Sequence, residues 1–248
     1  MLNAGKIFEM KFNRIDKQFP LVRELIFHQI DIETLENFSW RFNTMQHLHY
    51  LNIDIANDCL SKIPSCFSEF LCGKLFSQSN SFQNLKLYFG TYKFSLDFMI
   101  YQCCHIRTLT IAVKSLDDLV IIFNHFPNIE YLNITIGCLS PIIDNDRQIY
   151  EQLWWKIPYL TKFILSIEQD ELISHNYVPS HDIILNIVKK IYSLQWFKFE
   201  LNLRFNSLLQ SSTSKDIYMN KYLSYVDGSL WEQALQRNDD RRIHFEFY

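Results

Sequence analysis

Hydrophobic residues along this chain fall into one recurring frame. An apolar residue is followed by two spacers and a second apolar residue, and single spacers then alternate with apolar residues. Ile129, Leu132, Ile134 and Ile136 fill it most cleanly. Leu48, Leu51, Ile53 and Ile55 repeat it, as do Phe82, Leu85, Leu87 and Phe89, and Ile106, Leu109, Ile111 and Val113. Further copies are Leu160, Phe163, Leu165 and Ile167, and Trp196, Phe199, Leu201 and Leu203. Val22, Leu25 and Phe27 give a shorter copy, and Ile243, Phe245 and Phe247 a last one. The leading positions 22, 48, 82, 106, 129, 160 and 196 lie 23 to 36 residues apart. A fixed frame at elastic spacing predicts stacked units joined by loops of variable length.

The alternating part of each frame predicts a short strand with one buried face. Helical stripes are predicted between strands. Leu116, Leu119, Val120 and Phe123 sit at i, i+3, i+4 and i+7, behind Ser115 and Asp118 as a capping box. Ile184, Ile187, Val188 and Ile191 repeat the stripe, and Leu35, Phe38 and Phe42 give one after Asp31. Ile149, Leu153 and Trp154 give another, while Pro20, Pro127 and Pro158 stand where helices must stop. Alternating strand and helix predicts a parallel α/β sheet. A doubly wound sheet needs strands apolar on both faces. Here one face carries Asn, Thr, Asp, Lys and Tyr, which favours an open horseshoe with helices outside and a polar concave face.

The frame resembles the Leu-x-x-Leu-x-Leu motif of leucine-rich repeats, with Ile129, Leu132 and Ile134 as its clearest instance. Irregular spacing and aromatic content resemble the degenerate repeats of F-box/leucine-rich-repeat proteins, over roughly residues 20 to 203. The resemblance implies an open leucine-rich-repeat solenoid over 1–248 as a single domain. It also implies a protein-interaction scaffold, of the kind that recognises substrates within a ubiquitin ligase and meets its adaptor. Two departures stand out. The Asn or Cys that usually follows the second apolar position by five residues is replaced by Ile30, Ala56, Gly90, Lys114, Gly137, Glu168 and Arg204. No Leu-Pro motif of an F-box is seen in the opening residues.

The spacers of each strand are predicted to line the concave face and to form a partner-binding surface. They are Tyr50, Asn52 and Asp54; Lys86 and Tyr88; Thr108 and Thr110; Tyr131, Asn133 and Thr135; Lys162; and Lys198, Glu200 and Asn202. Glu24, Ile26, Asn84, Ile164 and Ser166 share these positions. Tyrosine-bearing surfaces of mixed charge suit protein recognition, so Tyr50, Tyr88 and Tyr131 are the expected anchors.

Composition narrows the rest. The chain has 248 residues, 48% hydrophobic and 16% aromatic, with only 5 Gly and a net charge of −3. Scarce glycine argues against phosphate-binding loops, and no basic stripe favours nucleic acid. No apolar run is long enough to span a membrane and no secretory signal is read, so a cytoplasmic or nuclear protein is expected. The cysteines (Cys59, Cys66, Cys72, Cys103, Cys104 and Cys138) are then expected reduced, and their spacing suits no zinc site. No cofactor or metal is expected. No nucleophile elbow, P-loop or His-Glu-x-x-His motif occurs, so the expectation is not an enzyme. The rival reading is an enzyme on a closed α/β fold. An exposed insertion is predicted near 207–219, followed by a helix carrying Trp231 and Leu235.

Overall fold

The structure is a computed structural model that describes residues 21–56, 63, 66–77, 80–137, 157–169, 181–203, 231 and 243–247. Among these residues it is an α/β fold with one all-parallel sheet of eight strands standing in chain order. The strands are β1 (Glu24–Ile30), β2 (Tyr50–Ile55), β3 (Asn84–Tyr88), β4 (Thr108–Val113), β5 (Tyr131–Ile136), β6 (Lys162–Gln169), β7 (Trp196–Leu203) and β8 (His244–Phe247). Four α-helices are described: α1 (Ile32–Ser39), α2 (Phe67–Leu75), α3 (Leu116–His125) and α4 (His181–Lys190). Among the described residues no helix is long and apolar enough to cross a membrane. The expected insertion near 207–219 and the stripe Ile149, Leu153 and Trp154 lie outside the described residues. Trp231 is described, and it is helical and buried.

Register follows the sequence frame. Leu25, Leu51, Leu85, Leu109, Leu132, Phe163 and Phe197 stand side by side across the sheet. All but Leu25, which is half-buried at the edge, are fully enclosed. One backbone device recurs at the entries to β1 through β6. The carbonyl of the residue before the strand accepts from two successive N–H groups of the next unit: Arg23 from His49 and Tyr50, Gln83 from Arg107 and Thr108, Thr161 from Gln195 and Trp196. A second device lies in the turn just before it, where each bond spans three residues. Leu48, Ile106, Ile129, Leu160 and Leu194 each donate an N–H to the carbonyl of a buried apolar residue, respectively Met45, Cys103, Phe126, Ile157 and Ile191.

That second device corrects the frame of β7. The sequence pattern placed Trp196 and Phe199 at the leading and second positions. In the sheet Phe197 stands beside Phe163 and Leu194 takes the lead, so Trp196 sits on the polar face beside Lys162 and His244. The pattern slipped because Leu194, Phe197, Phe199 and Leu201 are as apolar as the set two residues later. The shift also brings Asn202, beside Glu168, to the position where leucine-rich repeats usually carry Asn.

The helices bury their stripes against the apolar face of the sheet. Asp31 caps α1, its carboxylate accepting from the Thr34 N–H at 2.7 Å and the Thr34 hydroxyl at 2.9 Å. In α3 the buried set is Leu116, Leu119, Ile122 and Phe123; Val120, expected in it, is only partly buried. Ile184, Ile187, Val188 and Ile191 are buried as expected from their spacing. Helix α2, which the stripe reading missed, buries Phe67, Leu71, Cys72 and Leu75. Aromatic rings fill the space between units, with Phe38 5.6 Å from Phe42 and Phe42 5.9 Å from Phe82.

The connection between β3 and β4 departs from the predicted helix-then-strand unit, because residues 89–107 hold no helix. Gly90 turns the chain at φ 52°, a backbone region open to glycine. Phe94 then lies along β4, donating to Ala112 and accepting from Lys114, while Phe94, Leu96, Met99 and Cys103 are buried in the hydrophobic core. Asp118 fixes this segment. Its buried carboxylate accepts from the Leu96 N–H at 2.7 Å and from the Ser115 N–H at 2.9 Å, so the capping box of α3 doubles as the anchor of the loop.

Two outcomes follow from this packing. Leu132→Ala should cost about 2–5 kcal/mol, as for other buried leucines. Amide exchange should rise in β4 and β6 as well as in β5, because stacked units share interfaces; loosening confined to β5 would contradict the shared core. Leu194→Ala should destabilise more than Trp196→Ala in urea unfolding, and the reverse order would contradict the register of β7.

Candidate binding face of the sheet

Alternation sends the expected site residues to the side of the sheet opposite the helices. Register groups them in rows that cross the strands. Tyr50, Asn84, Thr108, Tyr131, Lys162 and Trp196 form one row, and Asn52, Lys86, Thr110, Asn133, Ile164 and Lys198 the next. Asp54 stands beside Tyr88 at one end of a third row, and Thr135 beside Ser166 and Glu200 at the other. All the residues expected at the site therefore share one face; Asn202 is placed there by backbone register alone. Trp196 is the member that the sequence frame missed. Its indole N–H donates to Glu246 at 3.4 Å.

The three tyrosines differ. Tyr88 is 44% exposed, whereas Tyr50 and Tyr131 are half-buried. The Lys86 ammonium lies 5.7 Å over the Tyr50 ring. Burial pushes the Tyr131 phenol above the ordinary tyrosine range, and a hydrogen bond with the Asn133 side chain partly offsets the shift. The phenol therefore keeps its proton at neutral pH and remains a donor.

Charges at the two ends of the face are already satisfied. Asp54 accepts from Gln29 at 3.0 Å, and Gln29 can reach it because a bulge in β1 sets that residue at φ 53°. On β7 the Lys198 ammonium lies 2.7 Å from Glu200, which also accepts from the Ser166 hydroxyl. These bonds hold the Glu200 carboxyl below its ordinary range. Lys93 reaches from the β3–β4 connection across Gly137 to pair with Glu168 on β6. A Cβ at Gly137 would lie 2.6 Å from the Lys93 chain, so the missing side chain is what lets the lysine cross.

Reactive groups elsewhere are muted. Burial pushes the thiols of Cys72 and Cys103 up to about 12, so neither is a thiolate at neutral pH. Cys103 instead donates to the Phe76 carbonyl at 3.3 Å. Burial lowers the pKa of His105, keeping it neutral. Among the described residues no group of three His, Cys, Asp or Glu is placed to hold a metal ion.

Searches against protein-family models, curated proteins and solved structures returned no match to this chain.

The depressed Glu200 carboxyl gives a signed prediction. Its ion pair and hydrogen bond contribute stability above the unfolded glutamate pKa, and that contribution is lost as pH falls through the lower folded value. Partial exposure limits it to about 1 kcal/mol or less. Wild type and Glu200→Gln should differ in urea midpoint at pH 7 and converge as the pH drops below about 4. A gap that persists unchanged would contradict the assignment.

Proposed function

We propose that this chain is a leucine-rich-repeat-type solenoid that acts as a non-enzymatic scaffold, with the polar sheet face lining its concavity and gripping a protein partner. The reading is supported by the parallel strands in chain order, with one apolar face turned to the helices and one polar face that no described helix covers. A single observation carries the functional part. Tyr50, Tyr88, Tyr131 and Trp196 stand on that polar face among amides, hydroxyls and lysines. Amphipathic rings on a rigid sheet offer contact area at little entropic cost, and such rings dominate protein interfaces. The resemblance to F-box/leucine-rich-repeat proteins extends the proposal to substrate recognition in a ubiquitin ligase, in the cytoplasm or nucleus.

Affinity purification of wild type beside the Tyr50→Ala, Tyr88→Ala, Tyr131→Ala triple variant tests this. The three rings lie outside the hydrophobic cluster, so the variant should keep a cooperative thermal transition. Partner capture should fall by well over tenfold, at about 2 kcal/mol per strong anchor. Identical partners in identical yield would contradict the proposal. A ligase adaptor in the wild-type catch would support the F-box kinship, and a catch that the variant empties but that holds no adaptor would remove that part alone.

A further inference from the structure

Strand β4 carries small side chains on the polar face, Thr108, Thr110 and Ala112. Its neighbours carry large ones: Lys86 stands beside Thr110 on β3, and Tyr131 beside Thr108 on β5. Adjacent strands lie about 4.8 Å apart, so β4 floors a trough walled by lysine and tyrosine. The walls sense each other across it, since Lys86 and Tyr88 both act electrostatically on the Tyr131 phenol.

The trough is rich in donors and holds no anion. None of the nine polar-face positions of β3, β4 and β5 is Asp or Glu. Lys93 and Lys198 are neutralised by Glu168 and Glu200. Lys86 has no carboxylate partner among the described residues, only the Tyr50 ring. Thr110 is 7% exposed, and its hydroxyl makes no hydrogen bond among the described residues. The hydroxyl reaches solvent and is open to an incoming acceptor.

The geometry points to an anion subsite: the β4 trough takes a carboxylate or phosphate group borne by the protein partner. The Lys86 ammonium supplies the counter-charge, and the Thr108, Thr110 and Tyr131 hydroxyls supply the donors. This subsite rests on the reading of the sheet face as a recognition surface and names the chemistry that the face selects. Bonds from fixed donors to a charged acceptor are roughly twice as strong as neutral ones. The lysine acts as a point charge with little demand on angle, so carboxylate and phosphate share the site's chemistry.

The test is a peptide array carrying each sequence in three forms: glutamate, phosphoserine or neutral glutamine at one position. It is probed with the full chain, with Lys86→Gln, with Thr110→Val and with the triple tyrosine variant. Wild type should prefer an anionic form over the neutral one by roughly tenfold or more, and the preferred form identifies the source of the anion. Lys86→Gln should bring that ratio close to one, and Thr110→Val should reduce it, with thermal transitions unchanged. Equal binding of neutral and anionic forms, a preference that survives Lys86→Gln, or no binding by wild type would overturn the subsite. If neutral and anionic peptides bind equally but the triple variant loses both, the subsite fails while the recognition face stands.

Discussion

Six backbone carbonyls, one at the entrance of each strand from β1 to β6 and each caught by two N–H groups of the next unit, hold the stack of units together. The series from Arg23 through His49, Gln83, Arg107, Glu130 and Thr161 to Gln195 sets the parallel register of neighbouring strands. A parallel pair slipped by one residue would turn its apolar side chains to the wrong face. With the ladder in place, Leu51, Leu85, Leu109 and Leu132 align into one buried row, and the spacers between them align into the exposed rows. The core and the candidate site are thus two consequences of one register.

Connections vary because the ladder asks only that each unit return to the sheet with an apolar cover. Helices α1, α3 and α4 provide it with aliphatic and phenylalanine stripes. Between β3 and β4 an extended segment does so instead, with Phe94 bonded along β4 and Leu96 tied to Asp118. Burial raises the pKa of Asp118 while its bonds to Leu96 and Ser115 lower it, as for a carboxylate kept for the backbone donors it satisfies. Lys93 braces the C-terminal end of β6 across Gly137, at the same end of the sheet.

Much of this was legible in the sequence, because a strand buried on one face writes its orientation as period-two alternation. Every expected spacer from Tyr50 to Glu200 lies on the polar face. Legibility ends where several registers are equally apolar: Phe197 and Phe199 offer no polar punctuation, so the sequence frame puts Trp196 in the core. It fails in α3, where the run Val120, Ile121, Ile122 cannot show which member faces inward. It fails again between β3 and β4, where cover is supplied without a helical stripe. The trough on β4 was invisible for a different reason. Its depth depends on the neighbours that register sets beside Thr110, and those neighbours lie far away in the chain.

Partners are proposed to meet the polar face of the sheet and not the helices or turns. Hydroxyl-radical footprinting of the captured complex measures this directly, since exposed aromatic probes stand on both sides. Tyr88, Tyr131 and Trp196 should lose labelling on capture, while Trp40 after α1, Tyr159 in the turn before β6 and Tyr192 after α4, all at least half exposed, should keep it. Protection of Trp40, Tyr159 and Tyr192 with the sheet-face rings unchanged would contradict the account.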